Sequence, residues 1–239
     1  MTRGGRTLYG HALGVLMLDT VFPRFVGDVG NAMTWPFPVR YHVISGAVPA
    51  KVVTSDPDPA LLEPFIAGAK RLEADGVHAI TTSCGFLAIY QQQLAAAVTV
   101  PVLTSALLQV PLASQLIGAG RAVGVLTERP HLTEEHFAGV GWSARELGVR
   151  VGALAADAQF PRVYLEGGTE ADPAQLRDEV VAGAQQLCAT HPDIGALVME
   201  CTNFVPFSQD VRRAIGLPVY DLYTQVMQTY EATVGTEFR

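Results

Sequence analysis

Short, β-branched apolar runs recur along the chain between stretches with helical spacing, the rhythm of parallel strands buried on both faces by crossover helices. The runs predict strands at 13–18 (LGVLML), 40–45 (RYHVIS), 77–82 (VHAITT), 100–104 (VPVLT), 121–127 (RAVGVLT), 149–154 (VRVGAL), 194–199 (IGALVM) and 217–221 (LPVYD). Over 58–75, Leu61, Leu62, Phe65, Ile66, Ala69 and Leu72 form one stripe opposite Lys70, Arg71 and Glu73, and Gly76 stops the helix. A second helix is predicted over 173–190, opened by Asp172 as cap and Pro173 in its first turn. Between the first two strands, residues 21–38 (VFPRFVGDVGNAMTWPFP) show no period of their own. A segment of that length is either a functional lid or an ordered surface crossing, and Arg24 and Asn31 in it would reach a carboxylate if it closed.

The pattern occurs twice. Aligning AITTSCGFLAIY (79–90) with ALVMECTNFVPF (196–207) puts Cys84 on Cys201, an offset of 117 (201 − 84). Aligning VPVLTSALLQ (100–109) with LPVYDLYTQV (217–226) gives the same offset, and LGVL at 13–16 matches VGVL at 123–126 with an offset of 110. The fold class that follows is α/β: two pseudo-symmetric, three-layer halves, each on a parallel sheet, with the active-site cleft between them. Residues 1–104 plus 222–239 are expected to form the first half and 105–221 the second, the last helix packing back on the first.

Composition narrows the function. Lys plus Arg number 16 against 23 Asp plus Glu, a net charge of −7, which argues against nucleic acid as a partner. With 49% hydrophobic and 16% charged residues, disorder is excluded. The run Ala12–Leu18 leads into Asp19 without a cleavage site, and nothing approaches the ~20 apolar residues of a membrane span. The expectation is a cytoplasmic protein without a membrane partner, its three cysteines free thiols. GxGxxG, Walker A and GxSxG sequences are absent, CxxC spacing for a metal is missing, and the only lysines, Lys51 and Lys70, suit no pyridoxal Schiff base, so neither cofactor nor metal is expected.

Cys84 and Cys201 each follow a predicted strand and precede a helix, where the ligand sites of parallel sheets lie. Such a helix start is expected to lower a thiol pKa from about 8.5 into the range of roughly 3.5–7.5. Two thiols flanking one carbon acid can take a proton from one face and return it to the other, inverting the centre. Cys188, inside the helical AQQLCATH, is expected to be structural. His131 and His136 flank Glu134 and Glu135 in an order other than HExxH, which reads as a solvated first turn.

In these residues the chain resembles the cofactor-independent aspartate/glutamate racemase superfamily, which also holds hydantoin racemases, arylmalonate decarboxylases and maleate isomerases. The resemblance makes Cys84 and Cys201 the two catalytic cysteines and Thr202 a substrate-binding threonine, with Asn203 where glutamate racemases have histidine. Asp19 and Thr20 resemble the Asp-Ser that ends the family's first strand, and Thr127 is the equivalent strand end of the second half. Gly85 and Phe86 replace the Asn-Thr of many amino-acid racemases, and Glu200 stands where glycine is usual. With Ser83 they are candidates for the pocket wall. The resemblance implies a homodimeric, cofactor-independent racemase or epimerase of an amino acid or related small carboxylate. A maleate-type cis-trans isomerase, a decarboxylase using one cysteine, and a non-catalytic small-ligand-binding protein remain alternatives.

Overall fold

The computed structural model describes residues 5–235; residues 1–4 and 236–239, assigned above to the first half, lie outside the described residues. Two four-stranded parallel sheets make up the scaffold. In the first, β1 (Leu13–Leu18), β2 (Val39–Ile44), β3 (Ala79–Thr82) and β4 (Val102–Leu103) take the order β2-β1-β3-β4. In the second, β5 (Ala122–Thr127), β6 (Val149–Ala153), β7 (Ile194–Met199) and β8 (Val219–Tyr220) take the order β6-β5-β7-β8. The helices are α1 (Pro49–Val52), α2 (Leu62–Asp75), α3 (Gln91–Ala97), α4 (Val110–Leu116), α5 (Glu134–Gly139), α6 (Gln159–Tyr164), α7 (Pro173–Thr190), α8 (Ser208–Ile215) and α9 (Leu222–Thr233).

The repeat extends to individual hydrogen bonds. Ile80 N donates to Pro101 O at 2.8 Å and Leu197 N to Pro218 O at 2.9 Å. Ser83 N donates to Leu16 O and Glu200 N to Leu126 O, both at 2.9 Å. These pairs keep the offsets of 117 and 110 read from the sequence. They also fix Leu18 and Glu128 as equivalent positions, two residues beyond Leu16 and Leu126.

Strand periodicity explains why the central runs are apolar throughout. In β1, Leu16 joins Ile44, Phe65, Leu72 and Ile80 beneath α2, whereas Leu13 and Val15 face the opposite cluster. In β7, Leu197 and Met199 join Val180 and Leu187 beneath α7, whereas Ala196 and Val198 pack with Leu107, Val110 and Trp142. The layer helices are exchanged between halves. Val110 and Ala113 of α4, which follows β4 of the first sheet, bury against the second sheet; Leu222 and Val226 of α9 bury with Leu13, Val15 and Ala79 of the first. Where they cross, Gln109 Nε2 donates to Asp221 O at 2.8 Å and Thr224 Oγ1 donates to Gln109 Oε1 at 3.2 Å.

Both predicted helices form. A 3-10 turn over Pro59–Leu61 precedes α2, which ends at Gly76 with φ +89°, and Asp172 caps α7 by accepting from Ala174 N. The segment after β1 is an ordered crossing rather than an open lid. Asp28 is fully buried in it, Thr34 Oγ1 donates to Asp28 O at 2.7 Å, and Trp35 Nε1 and Tyr41 OH both donate to Val29 O. Asn31 does not reach the cleft, because its side chain accepts from Met33 N and donates to Arg24 O. Among the described residues, no helix is long and apolar enough to cross a membrane.

Candidate active site

β3 and β7 end in equivalent ways. Cys84 opens a 3-10 helix over Gly85–Tyr90 that runs into α3; Cys201 opens one over Thr202–Phe207 that runs into α8. Both cysteines line one cleft between the halves. Thr20, Ser83, Gly85, Phe86, Glu200, Thr202 and Asn203 line it too, as do Phe22, Arg24, Glu128 and Tyr164. Thr202 Oγ1 donates to Ser83 O at 2.7 Å, joining the two strand ends.

Two anticipated residues lie elsewhere. Asp19 is exposed, accepts from Gly46 N at 3.1 Å, and lines an adjoining surface concavity that shares Thr20, Phe22, Pro49 and Leu165 with the cleft. Thr127 is buried behind the wall, where its Oγ1 donates to Glu200 Oε2 at 2.7 Å. Cys188 is free and half-buried in α7, packed against the core. His136 corrects the solvated-turn reading. It is fully buried, its Nδ1 accepts from Thr133 N in a capping box, and burial pushes its pKa down to about 4.

The electrostatics reverse the expectation of lowered thiol pKa values. Burial pushes Cys84 well up, with Glu200 and then Glu128 adding to it, against the amides of Phe86 and Leu87. Burial likewise pushes Cys201 up, with Glu128 and then Glu200 adding, against the Asn203 amide. A short 3-10 start supplies too few aligned dipoles to overcome two neighbouring carboxyls in a dry site. The glutamates themselves are displaced. Burial raises Glu128 to about 7, opposed by the neighbouring Cys201 side chain and by the Arg129 charge. Burial raises Glu200 to about 8, opposed by Thr127 and reinforced by Glu128.

A polar strap closes the cleft on the side of the first half. Arg24 pairs with Asp28 at 2.6 Å, donates to Thr20 Oγ1 at 2.9 Å and lies 4.5 Å over the Phe22 ring. Asp28 also accepts from Asn203 Nδ2 at 2.7 Å, and Asn203 Oδ1 lies 3.8 Å from the Cys201 sulfur. Three buried atoms of cleft residues, Glu128 Oε2, Glu200 Oε1 and Tyr164 OH, have no hydrogen-bond partner in the protein. Buried polar atoms are rarely left so, and here all three belong to residues that line one concavity, as in a ligand site. The sequence held a signal for Glu128, which directly follows Thr127 at a strand end. It held none for Tyr164, delivered by α6 and edge-packed on Phe22 at 4.7 Å.

Comparison with known proteins agrees with this geometry. The family model described as Asp/Glu/Hydantoin racemase matches residues 47–229. The chain is similar to a dimethylsulfoniopropionate lyase of Durusdinium sp. clade D, 32% identical over 217 residues that cover 88% of this chain and 71% of that protein. Dimethylsulfoniopropionate lyase 7 of Emiliania huxleyi (strain CCMP1516) is 26% identical over 229 residues, covering 89% of this chain, which spans only 64% of that relative's length. Among solved structures, an arylmalonate decarboxylase superposes with a TM-score of 0.61 at 15% identity, covering 95% of this chain and 94% of its own. A glutamate racemase of Francisella tularensis subsp. tularensis SCHU S4, in complex with D-glutamate, gives 0.55 at 17% identity, covering 93% and 80%.

Proposed function

The chain belongs to the Asp/Glu/hydantoin racemase family, and we propose that it is a cofactor-independent enzyme in which a cysteine removes the proton α to a substrate carboxylate. The observation that carries this is the pair of thiols, Cys84 and Cys201, lining one buried cleft from equivalent strand ends. The favoured outcome is β-elimination from a β-sulfonio carboxylate such as dimethylsulfoniopropionate. A relative named for cleaving that compound is 32% identical to this chain.

The cleft's chemistry supports that substrate class. A sulfonium has no N–H to donate and prefers aromatic faces and anionic or dipolar oxygen. Phe22, Phe86 and Tyr164 supply rings, while Glu128 and Glu200 supply oxygens not committed to the protein. Arg24 is the only cationic side chain among the described residues lining the cleft, and it suits the substrate carboxylate. In the reaction, the C–H pair at Cα becomes the Cα=Cβ bond and the Cβ–S bond breaks onto sulfur. Acrylate and dimethyl sulfide leave, and the proton stays on the attacking thiol. Excluding water from this apolar concavity strengthens the electrostatic contacts that position the substrate.

Racemisation of an amino acid or related carboxylate is the second reading, favoured specifically by a thiol from each half. One experiment separates the two. The wild type and the C84S and C201S variants are given dimethylsulfoniopropionate, with dimethyl sulfide followed by headspace gas chromatography. In parallel they are given single-enantiomer amino acids and hydantoins in heavy water, with exchange at Cα followed by NMR. Elimination predicts dimethyl sulfide in stoichiometry with acrylate, abolished by loss of one cysteine. Racemisation predicts Cα exchange with loss of optical purity, abolished in either variant. Neither product from any substrate would overturn the carbon-acid reading.

A further inference from the structure

Four aromatic rings form a chain that ends at the cleft. Ring centroids lie 4.8 Å apart for Phe204 and Phe160, 4.4 Å for Phe160 and Tyr164, and 4.7 Å for Tyr164 and Phe22. Tyr164 alone among them carries a hydroxyl. The residue is 1% exposed and lines the cleft, and its hydroxyl has no hydrogen-bond partner in the protein. A phenylalanine would pack in the same cluster, so the hydroxyl adds nothing to packing and costs free energy in the free protein. The charge that weighs most on this phenol, Asp28, is already committed: Oδ1 accepts from Arg24 and Gly30 N, and Oδ2 accepts from Asn203. Burial, with Asp28 and Cys201 adding to it, keeps the phenol protonated and therefore able to donate.

Arg24 meets the same Phe22 ring, its guanidinium carbon 4.5 Å from the centroid. Its NH1 and NH2 each bond once, to Asp28 and Thr20, which leaves further guanidinium N–H donors uncommitted. A charged donor and a neutral one thus adjoin a single ring of the cleft, a combination suited to a carboxylate. We infer that the Tyr164 hydroxyl donates a hydrogen bond to the substrate carboxylate beside Arg24, making Tyr164 the residue that selects for the carboxylate end of the ligand. This deepens the carbon-acid reading of the cleft and rests on it. Removal of the α-proton moves negative charge onto the carboxylate oxygens, so a donor placed there binds more tightly as the reaction proceeds. Phe22 and Phe160 hold the ring in place, so little ordering is needed when the ligand arrives.

The test compares wild type and Y164F with three probes. Dimethylsulfoniopropionate carries both ends, propionate keeps the carboxylate without the sulfonium, and trimethylsulfonium does the reverse. Dissociation constants come from calorimetric titration, or from NMR titration for the weaker fragments. Loss of one hydrogen bond to a charged group predicts about tenfold or more weaker binding of dimethylsulfoniopropionate and propionate, with trimethylsulfonium unchanged. Without ligand, Y164F should melt about 2 °C or more above wild type, because it removes a partnerless hydroxyl. A merely structural hydroxyl would give a lower Tm and unchanged carboxylate binding. Carboxylate binding that survives in Y164F overturns the inference. So does weakening of trimethylsulfonium, which would place the hydroxyl at the other end of the ligand or mark a change in the whole cleft. A wild type that binds neither carboxylate probe removes the carboxylate reading itself, and Tyr164's role with it; a wild type that binds both alongside an unimpaired Y164F removes the role alone.

Discussion

Gly85 is the position where one added methyl group tests how closely the halves meet. Its backbone does not fall in the left-handed region, so any strain from Gly85→Ala comes from neighbours. A Cβ there would stand closer than 3.0 Å both to Glu200 Oε1 and to the Glu200 carbonyl oxygen, and 3.0 Å from Glu200 Cδ. The carboxylate arm can rotate. The carbonyl cannot, because the Glu200 amide is tied to Leu126 O at the end of β7. Overpacking of this kind costs up to about 3 kcal/mol, offset by about 1 kcal/mol from the stiffer unfolded chain, for a net loss of about 2 kcal/mol. At roughly 2–4 °C per kcal/mol for a chain of this size, Tm should fall by about 4–8 °C in differential scanning calorimetry. E200A should recover only part of that in the double variant, since the carbonyl contact remains. A Tm for Gly85→Ala within about 1 °C of wild type, below the shift expected for even 1 kcal/mol, would refute the account.

Two further perturbations probe the strap and the buried histidine. Asp28→Ala removes the acceptor shared by Arg24, Asn203 and Gly30 N, leaving a guanidinium without its partner. Urea titration should show a loss of about 3–5 kcal/mol, and a loss under about 1 kcal/mol would contradict the network. His136 is depressed from 6.5 to about 4, so its contribution to stability is complete above pH 6.5 and is lost as pH falls toward 4. The shift corresponds to at most about 3 kcal/mol. Because the raised pKa values of Glu128 and Glu200 act in the opposite sense, making stability fall as pH rises through their range, the measurement is the wild-type minus H136L difference. That difference should shrink on going from pH 7 to 5, and a constant difference would assign the depression elsewhere.

The sequence carried the fold because strand-and-helix periodicity and a duplicated offset are local properties. The offset of 117 between Pro101 and Pro218 reappears as paired bonds from Ile80 N and Leu197 N. β4 and β8 are shorter than the runs predicted, two residues each, and occupy equivalent edges of the two sheets. The site was half legible. Cys84, Cys201, Ser83 and Thr202 follow from strand ends, whereas Tyr164 arrives on α6 through tertiary packing alone. The direction of the thiol shifts was illegible for a related reason. A helix start is visible in a sequence, but the depth of burial and the approach of Glu128 and Glu200 exist only once both halves close on one another.

Symmetric chemistry would be served best by symmetric surroundings, since racemisation asks each thiol to act as base in one direction and acid in the other. Here the repeat gives the two cysteines the same backbone and unequal neighbours. The first half supplies Leu18 and Ser83 at the positions where the second supplies Glu128 and Glu200. Both carboxyls thus come from the second half, and the cation Arg24, with its partner Asp28, comes from the first. Under the proposed elimination, one side of a cleft polarised in this way would move the proton and the other would hold the substrate carboxylate. That division of labour matches a one-base elimination better than a two-base inversion, and it predicts unequal penalties for the two cysteine substitutions. Loss of Cys201 should abolish turnover, whereas loss of Cys84 should only slow it; equal loss in both variants would favour inversion instead.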